Sequence, residues 1–118
     1  MGRELQGEYY TSPNGSCPVA KWLDKQSNEV QAKMHGYMEL LETSPDLGRF
    51  PFVRKLDSGL YEIKTKVAGT WPRIIYFYFD KDKVVYLHAF MKKSNKTPPN
   101  EIKIAKERKK DIENRREK

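Results

Sequence analysis

The sequence predicts one small α+β domain: a three-stranded antiparallel meander with an N-terminal edge strand, two N-terminal helices packed on one face, and a C-terminal helix. Three observations carry this. Residues 60–67, 73–79 and 84–91 are strand-length runs rich in β-branched and aromatic side chains, joined by connections of hairpin length. Upstream, Val30, Met34, Tyr37, Met38 and Leu41 recur at helical spacing. Downstream, Pro98-Pro99 forbids the last strand to continue, and Ile102, Ala105 and Ile112 form a thin apolar seam beyond it.

From the N-terminus, residues 1–7 read as a loose start. Glu8-Tyr9-Tyr10-Thr11 reads as a short edge strand, and Ser12-Pro13-Asn14-Gly15-Ser16 is turn chemistry. Pro18 suits the first turn of a short helix that carries Val19, Ala20, Trp22 and Leu23 and ends near Lys25-Gln26. Ser27 or Asn28 caps the second helix, whose polar side holds Glu29, Lys33 and Glu39. Ser44-Pro45-Asp46-Leu47-Gly48 ends it. Phe50, Phe52 and Leu56 anchor the connector into the meander. With two helices on one sheet face, the other face is expected to be free for a ligand or partner. Asn100 is placed to cap the last helix, and residues 113–118, which hold no apolar side chain, are expected to fray.

A chain of 118 residues makes one domain, 1–118. With 33% charged residues it has no apolar run long enough for a membrane helix. No basic-then-apolar leader is visible, and Cys17 stands alone, so no disulfide forms within the chain. A cytoplasmic location fits. The net charge of +7 is lopsided. From Lys92 onward there are 11 basic and 5 acidic side chains, against 12 and 11 before it. Such a surplus suits a phosphate-bearing or acidic partner, although a solvated Lys/Glu helix has the same pattern.

Metal chemistry has no support here. His35 and His88 sit in different elements, and no CxxC, HExxH or carboxylate-rich loop exists. Neither a cofactor nor a metal is expected. Cys17 reads as a partly buried, inert thiol, and His88, in an apolar strand, as a satisfied structural histidine.

The remaining signal is basic. Period-two alternation puts Tyr61, Ile63, Thr65 and Val67 on one face of the first strand and Glu62, Lys64 and Lys66 on the other. Antiparallel pairing gathers Lys66, Arg73, Lys92 and Lys93 at one end of the sheet, with Lys64 one pleat further in. A lysine among cations is disfavoured in its charged form and becomes a usable base. An adjacent arginine can stabilise charge developing on phosphorus, and a third cation can serve the departing oxygen. Cleavage of RNA by its own 2′-hydroxyl needs no more than such cations. The same lysines would also solubilise a sheet rim.

A family resemblance sharpens this. The chain resembles toxins of the RelE/ParE superfamily, in their phage-derived HigB-like branch. The carriers are residues 55–64 (Lys-Leu-Asp-Ser-Gly-Leu-Tyr-Glu-Ile-Lys), Arg73-Ile74-Ile75-Tyr76-Phe77, and residues 87–98 (Leu-His-Ala-Phe-Met-Lys-Lys-Ser-Asn-Lys-Thr-Pro). Glu101-Ile102, Ala105 and Arg108 follow. Pro13-Asn14-Gly15, Cys17-Pro18-Val19 and Pro45-Asp46-Leu47-Gly48 agree upstream. The likeness spans residues 8–111 and implies the RelE-like fold.

The resemblance further implies a metal-independent mRNA endoribonuclease acting on the ribosome, which it would reach through rRNA phosphates. It also implies a helix-turn-helix antitoxin partner. By position it assigns Lys64 as general base, Arg73 as transition-state stabiliser and Lys93 as partner of the leaving oxygen. Lys66, Lys92 and Lys96 become phosphate contacts, and Tyr61 and His88 contact a nucleobase or pack. Glu62 stands where RelE-like enzymes often carry lysine, and glutamate there suits the HigB-like branch. Two alternatives stay open: a ParE-like toxin that binds a protein such as gyrase, and a basic nucleic-acid-binding module without chemistry.

Overall fold

The computed structural model describes residues 4–44, 50–93 and 96–116. Its elements run β1 (Gln6–Tyr9), α1 (Pro18–Asp24), α2 (Asn28–Thr43), β2 (Val53–Lys55), β3 (Tyr61–Lys64), β4 (Pro72–Phe79), β5 (Lys83–Met91) and α3 (Pro99–Arg116). The strands form one five-stranded sheet in the order β1-β5-β4-β3-β2. β3, β4 and β5 are the expected antiparallel meander. β1 adds to one edge, parallel to β5, and β2 adds an antiparallel strand to the other.

The helices on the first face follow from local sequence. Pro18 opens α1 where its missing N–H costs nothing. Ser27 caps α2 by accepting from the Val30 amide at 3.2 Å. The buried stripe of α2 is Val30, Met34, Met38 and Leu41, and it meets Val19 and Leu23 of α1 over Ile63, Ile74, Tyr76, Val84 and Tyr86. Full burial of each such aliphatic side chain is worth about 1.5–3 kcal/mol, far more than helix propensity supplies. Phe52 is buried, and Phe50 and Leu56 are partly buried, as anchors of the connector. Residues 45–49, where the second helix was expected to stop, lie outside the described residues.

The second sheet face is not free. α3 covers it, with Ile102, Ala105 and Ile112 against Leu60, Ile75, Phe77, Val85, Leu87 and Phe90. The physical reason lies in β4 and β5, which are apolar on both sides and therefore demand two covers. α3 begins at Pro99 rather than behind an Asn100 cap, and it continues to Arg116 instead of fraying after Ile112. Arg115 helps to hold that last turn: it donates to Asp111 and, at 2.7 Å, to the Thr11 carbonyl across the chain.

Two irregularities shape the functional end. β3 stops at Lys64, because residues 67–70 form a tight turn of their own. Val67 and Thr70 exchange backbone hydrogen bonds of 2.9 and 2.8 Å around Ala68 and Gly69, which have φ of 49° and 79°. Between β4 and β5 the register slips: Ile75 faces His88 and Tyr76 faces Tyr86, leaving Leu87 as the extra residue of a bulge. Leu87 and His88 therefore both turn toward α3.

Candidate nucleic-acid interface

At one end of the α3 face, four cations surround one carboxylate. Register pairing sets them there: Lys64 lies opposite Arg73, and Arg54 lies opposite Glu62. Lys92 follows β5 directly, its amide donating to the Trp71 carbonyl at 2.8 Å. Glu62 is the hub. It is fully buried, its Oε2 accepts from Thr97 Oγ1 at 2.7 Å, and its Oε1 sits 3.7 Å from Arg73 Nε. Among the described residues neither Glu62 Oε1 nor Arg73 Nε has a hydrogen-bond partner, and the two attract each other coulombically. Arg73 is only 4% exposed; its Nη1 donates to the Thr65 and Pro72 carbonyls, both at 2.8 Å, which locks the guanidinium in place.

The electrostatics are uneven. Burial pushes the Lys92 ammonium below its ordinary range; Arg73, Arg54 and Lys64 push the same way, and Glu62 opposes them. Burial likewise lowers Arg73, with Glu62 opposing, but a guanidinium starts so high that it stays charged. The floor of the patch therefore holds one permanent cation, one lysine whose proton is held less tightly than usual, and one carboxylate. The rim is wet: Arg54, Lys64, Lys66, Lys93 and Lys96 are exposed. Lys66 Nζ lies 5.3 Å, and the Arg73 guanidinium carbon 5.8 Å, from the ring of Trp71, which is 43% exposed.

Measured against the sequence-derived assignments, Lys64, Arg73 and Lys92 come together, and Lys66 stands beside them on the 65–71 connection. Of the pair Lys92-Lys93, it is Lys92 that is buried among the charges, while Lys93 is exposed. Tyr61 does not belong to the patch. Alternation places it on the α1/α2 face, stacked on Tyr76 at 5.6 Å and edge-on to Tyr78 at 5.3 Å.

His88 shares the α3 face but is engaged. Arg108 donates to the Leu87 carbonyl at 2.8 Å and to His88 Nδ1 at 3.2 Å. Nδ1 thus accepts, which leaves the proton on Nε2, 2.5 Å from Glu101. Burial lowers its pKa despite Glu101, so His88 is a neutral tie between β5 and α3. Cys17 is partly buried, its sulfur 3.5 Å from Thr11 Oγ1.

Residue types alone did not mark Glu62, Arg54 and Trp71 as parts of the site. A glutamate on the inward side of a strand otherwise lined with Leu60 is a detectable signal, since a buried carboxylate demands cations. Arg54 depends on β2 pairing with β3, which a three-residue strand hardly announces.

Among the described residues, no helix is long and apolar enough to cross a membrane. A comparison with curated proteins finds no match. The family comparison is positive: residues 21–110, which supply every member of the basic cluster, match the model described as phage derived protein Gp49-like (DUF891), and the chain belongs to that phage-derived Gp49-like family.

Proposed function

We propose that this protein is the toxin of a type II toxin–antitoxin pair, a cytoplasmic endoribonuclease that cuts mRNA on the ribosome without a metal and is neutralised by a helix-turn-helix antitoxin. Membership of a phage-derived family with RelE/HigB-like character supports the toxin reading. The observation that carries the chemistry is the gathering of Arg54, Lys64, Arg73 and Lys92 around a single buried carboxylate, at an end of the sheet otherwise rimmed with cations. A phosphodiester brings the negative charge such a cluster lacks.

In this reading Lys92, rather than Lys64, takes the proton from the ribose 2′-hydroxyl, because it is buried beside Arg73, and burial and the surrounding cations loosen its proton. The 2′-oxygen attacks phosphorus, and the bond from phosphorus to the 5′-oxygen breaks. That oxygen leaves with a proton from an ammonium, a role that falls in this reading to the exposed Lys93, the next residue in the chain after Lys92. The products are a 2′,3′-cyclic phosphate and a 5′-hydroxyl. Arg73, immobilised by two carbonyls, supplies fixed positive charge beneath the phosphorus. Lys64 and Lys66 meet the phosphate from the exposed rim, and Lys96 lies along the same chain segment.

The test is cleavage of mRNA by purified protein with intact ribosomes, with mapping of the cut ends and of the groups they carry. Lys64 is exposed, so Lys64→Ala leaves the fold intact, and loss of a charged phosphate contact worth about 1.5–3 kcal/mol is expected to slow cutting by roughly 10- to 150-fold. Wild-type cutting is expected to quicken as rising pH frees the Lys92 amine, and Lys92→Ala, which removes the base, is expected to slow cutting by about 100-fold or more and to abolish that rise. Cleavage that leaves 5′-phosphate and 3′-hydroxyl ends, as attack by a metal-bound water would, or that survives both substitutions, defeats the proposal. A protein that stops cell growth with its mRNA intact would instead be a binder of a protein target such as gyrase.

A further inference from the structure

We propose that Trp71 is a stacking platform for an unpaired nucleobase, which makes single-stranded rather than duplex RNA the ligand of the patch; this rests on the reading of the patch as an RNA site. Trp71 keeps 43% of its surface in water, although a large apolar ring gains most from burial. It is nevertheless rigidly placed. Its carbonyl accepts from the Lys92 amide at 2.8 Å, the residue before it closes the Val67–Thr70 turn, and the residue after it is the buried Pro72 that opens β4. Lys66 and Arg73 stand within 5.3 and 5.8 Å of the ring, so cations able to neutralise a phosphate flank a surface able to take a base.

That combination is what unpaired nucleic acid needs: charge along the backbone, and a π-face that any base can stack on. In a duplex the bases are stacked on each other and offer no free face. If Trp71 served only to cover the stems of Lys66 and Arg73, its removal would change stability and leave affinity alone.

The probe is a short single-stranded oligonucleotide with 2′-O-methyl riboses, which cannot cleave itself, labelled for fluorescence anisotropy at low salt. Wild type, Trp71→Ala, Trp71→Phe and Lys64→Ala are compared, with thermal unfolding of each. Trp71→Ala is expected to weaken binding by roughly 5- to 150-fold, the range found when a base-stacking aromatic is truncated. Trp71→Phe is expected to retain most of the affinity, and it decides the matter if the alanine variant is unstable. On an abasic oligonucleotide, and on a duplex of the same length, wild type and Trp71→Ala should bind alike.

Equal single-strand affinity for wild type and both Trp71 variants overturns the stacking role while leaving the RNA site standing. So does an unchanged deficit on the abasic strand. No binding by wild type, or no loss in Lys64→Ala, overturns the RNA site itself.

Discussion

Replacing Glu62 by glutamine is the sharpest perturbation the structure offers. The amide keeps the volume and can still accept from Thr97, so what disappears is one negative charge. Two cations remain where that charge was, Arg73 with 4% exposure and Lys92 with 6%. At the 3.7 Å separation of Glu62 and Arg73, and an effective dielectric of about 20, the direct attraction is ~4 kcal/mol. Losing one partner of a buried pair typically costs about 3–5 kcal/mol, because the stranded charge stays desolvated. A domain of this length has a total stability of roughly 6–18 kcal/mol, so the variant should fold but be plainly weakened.

Lys92 supplies an internal control for Glu62→Gln. Without Glu62 the one force holding its proton on is gone, and its pKa must fall further. Raising the pH then neutralises Lys92, whereas Arg73 cannot follow. The variant's deficit should therefore shrink as pH rises toward the ordinary lysine value of 10.5. Urea unfolding, followed by tryptophan fluorescence, reads the loss directly, and the melting temperature should drop by roughly 4 °C per kcal/mol. Adding Arg73→Met should leave the double variant at least about 2 kcal/mol better than the sum of the singles. A Glu62→Gln protein within about 1 kcal/mol of wild type, or a strictly additive cycle, would refute the hub.

Three more outcomes follow from other parts of the molecule. Burial holds His88 below its ordinary value of 6.5, so as pH falls through that value the unfolded chain takes up a proton the folded chain resists; stability should fall, and His88→Gln should flatten the profile over about pH 5–7 in thermal melts. A methyl group at Gly7 would run into the Glu42 carboxylate, which accepts from the buried Tyr86 hydroxyl at 2.6 Å; Gly7→Ala should cost about 1–3 kcal/mol in urea unfolding, and Glu42→Gln should not deepen the loss. Affinity for single-stranded RNA should fall with salt, and Lys64→Ala should reduce the log–log slope by about 0.7, whereas Lys81→Asn, in the hairpin at the far end of β4 and β5, should leave it unchanged when both are titrated by anisotropy.

Much of the molecule was determined by sequence alone, for local reasons. The stripe of α2 from Val30 to Leu41, the Ser27 cap, and the three runs of the meander all arise from spacing within a dozen residues, and each stands in the fold. Antiparallel pairing also gathered Lys66, Arg73 and Lys92 at one end of the sheet, so the basic end was legible, although the register sets Lys64 directly opposite Arg73 rather than one pleat further in. What the chain could not announce is set by long-range contact. α3 takes the second face because β4 and β5 are apolar on both sides, and β2 brings Arg54 to Glu62 from a strand too short to be periodic. The bulge at Leu87 turns His88 into a tie with Glu101 and Arg108, and the end of β5 decides that Lys92 enters the charged floor while Lys93 stays in water. A slip of one residue in register exchanges the faces of every side chain beyond it, and nothing in the local sequence records that slip.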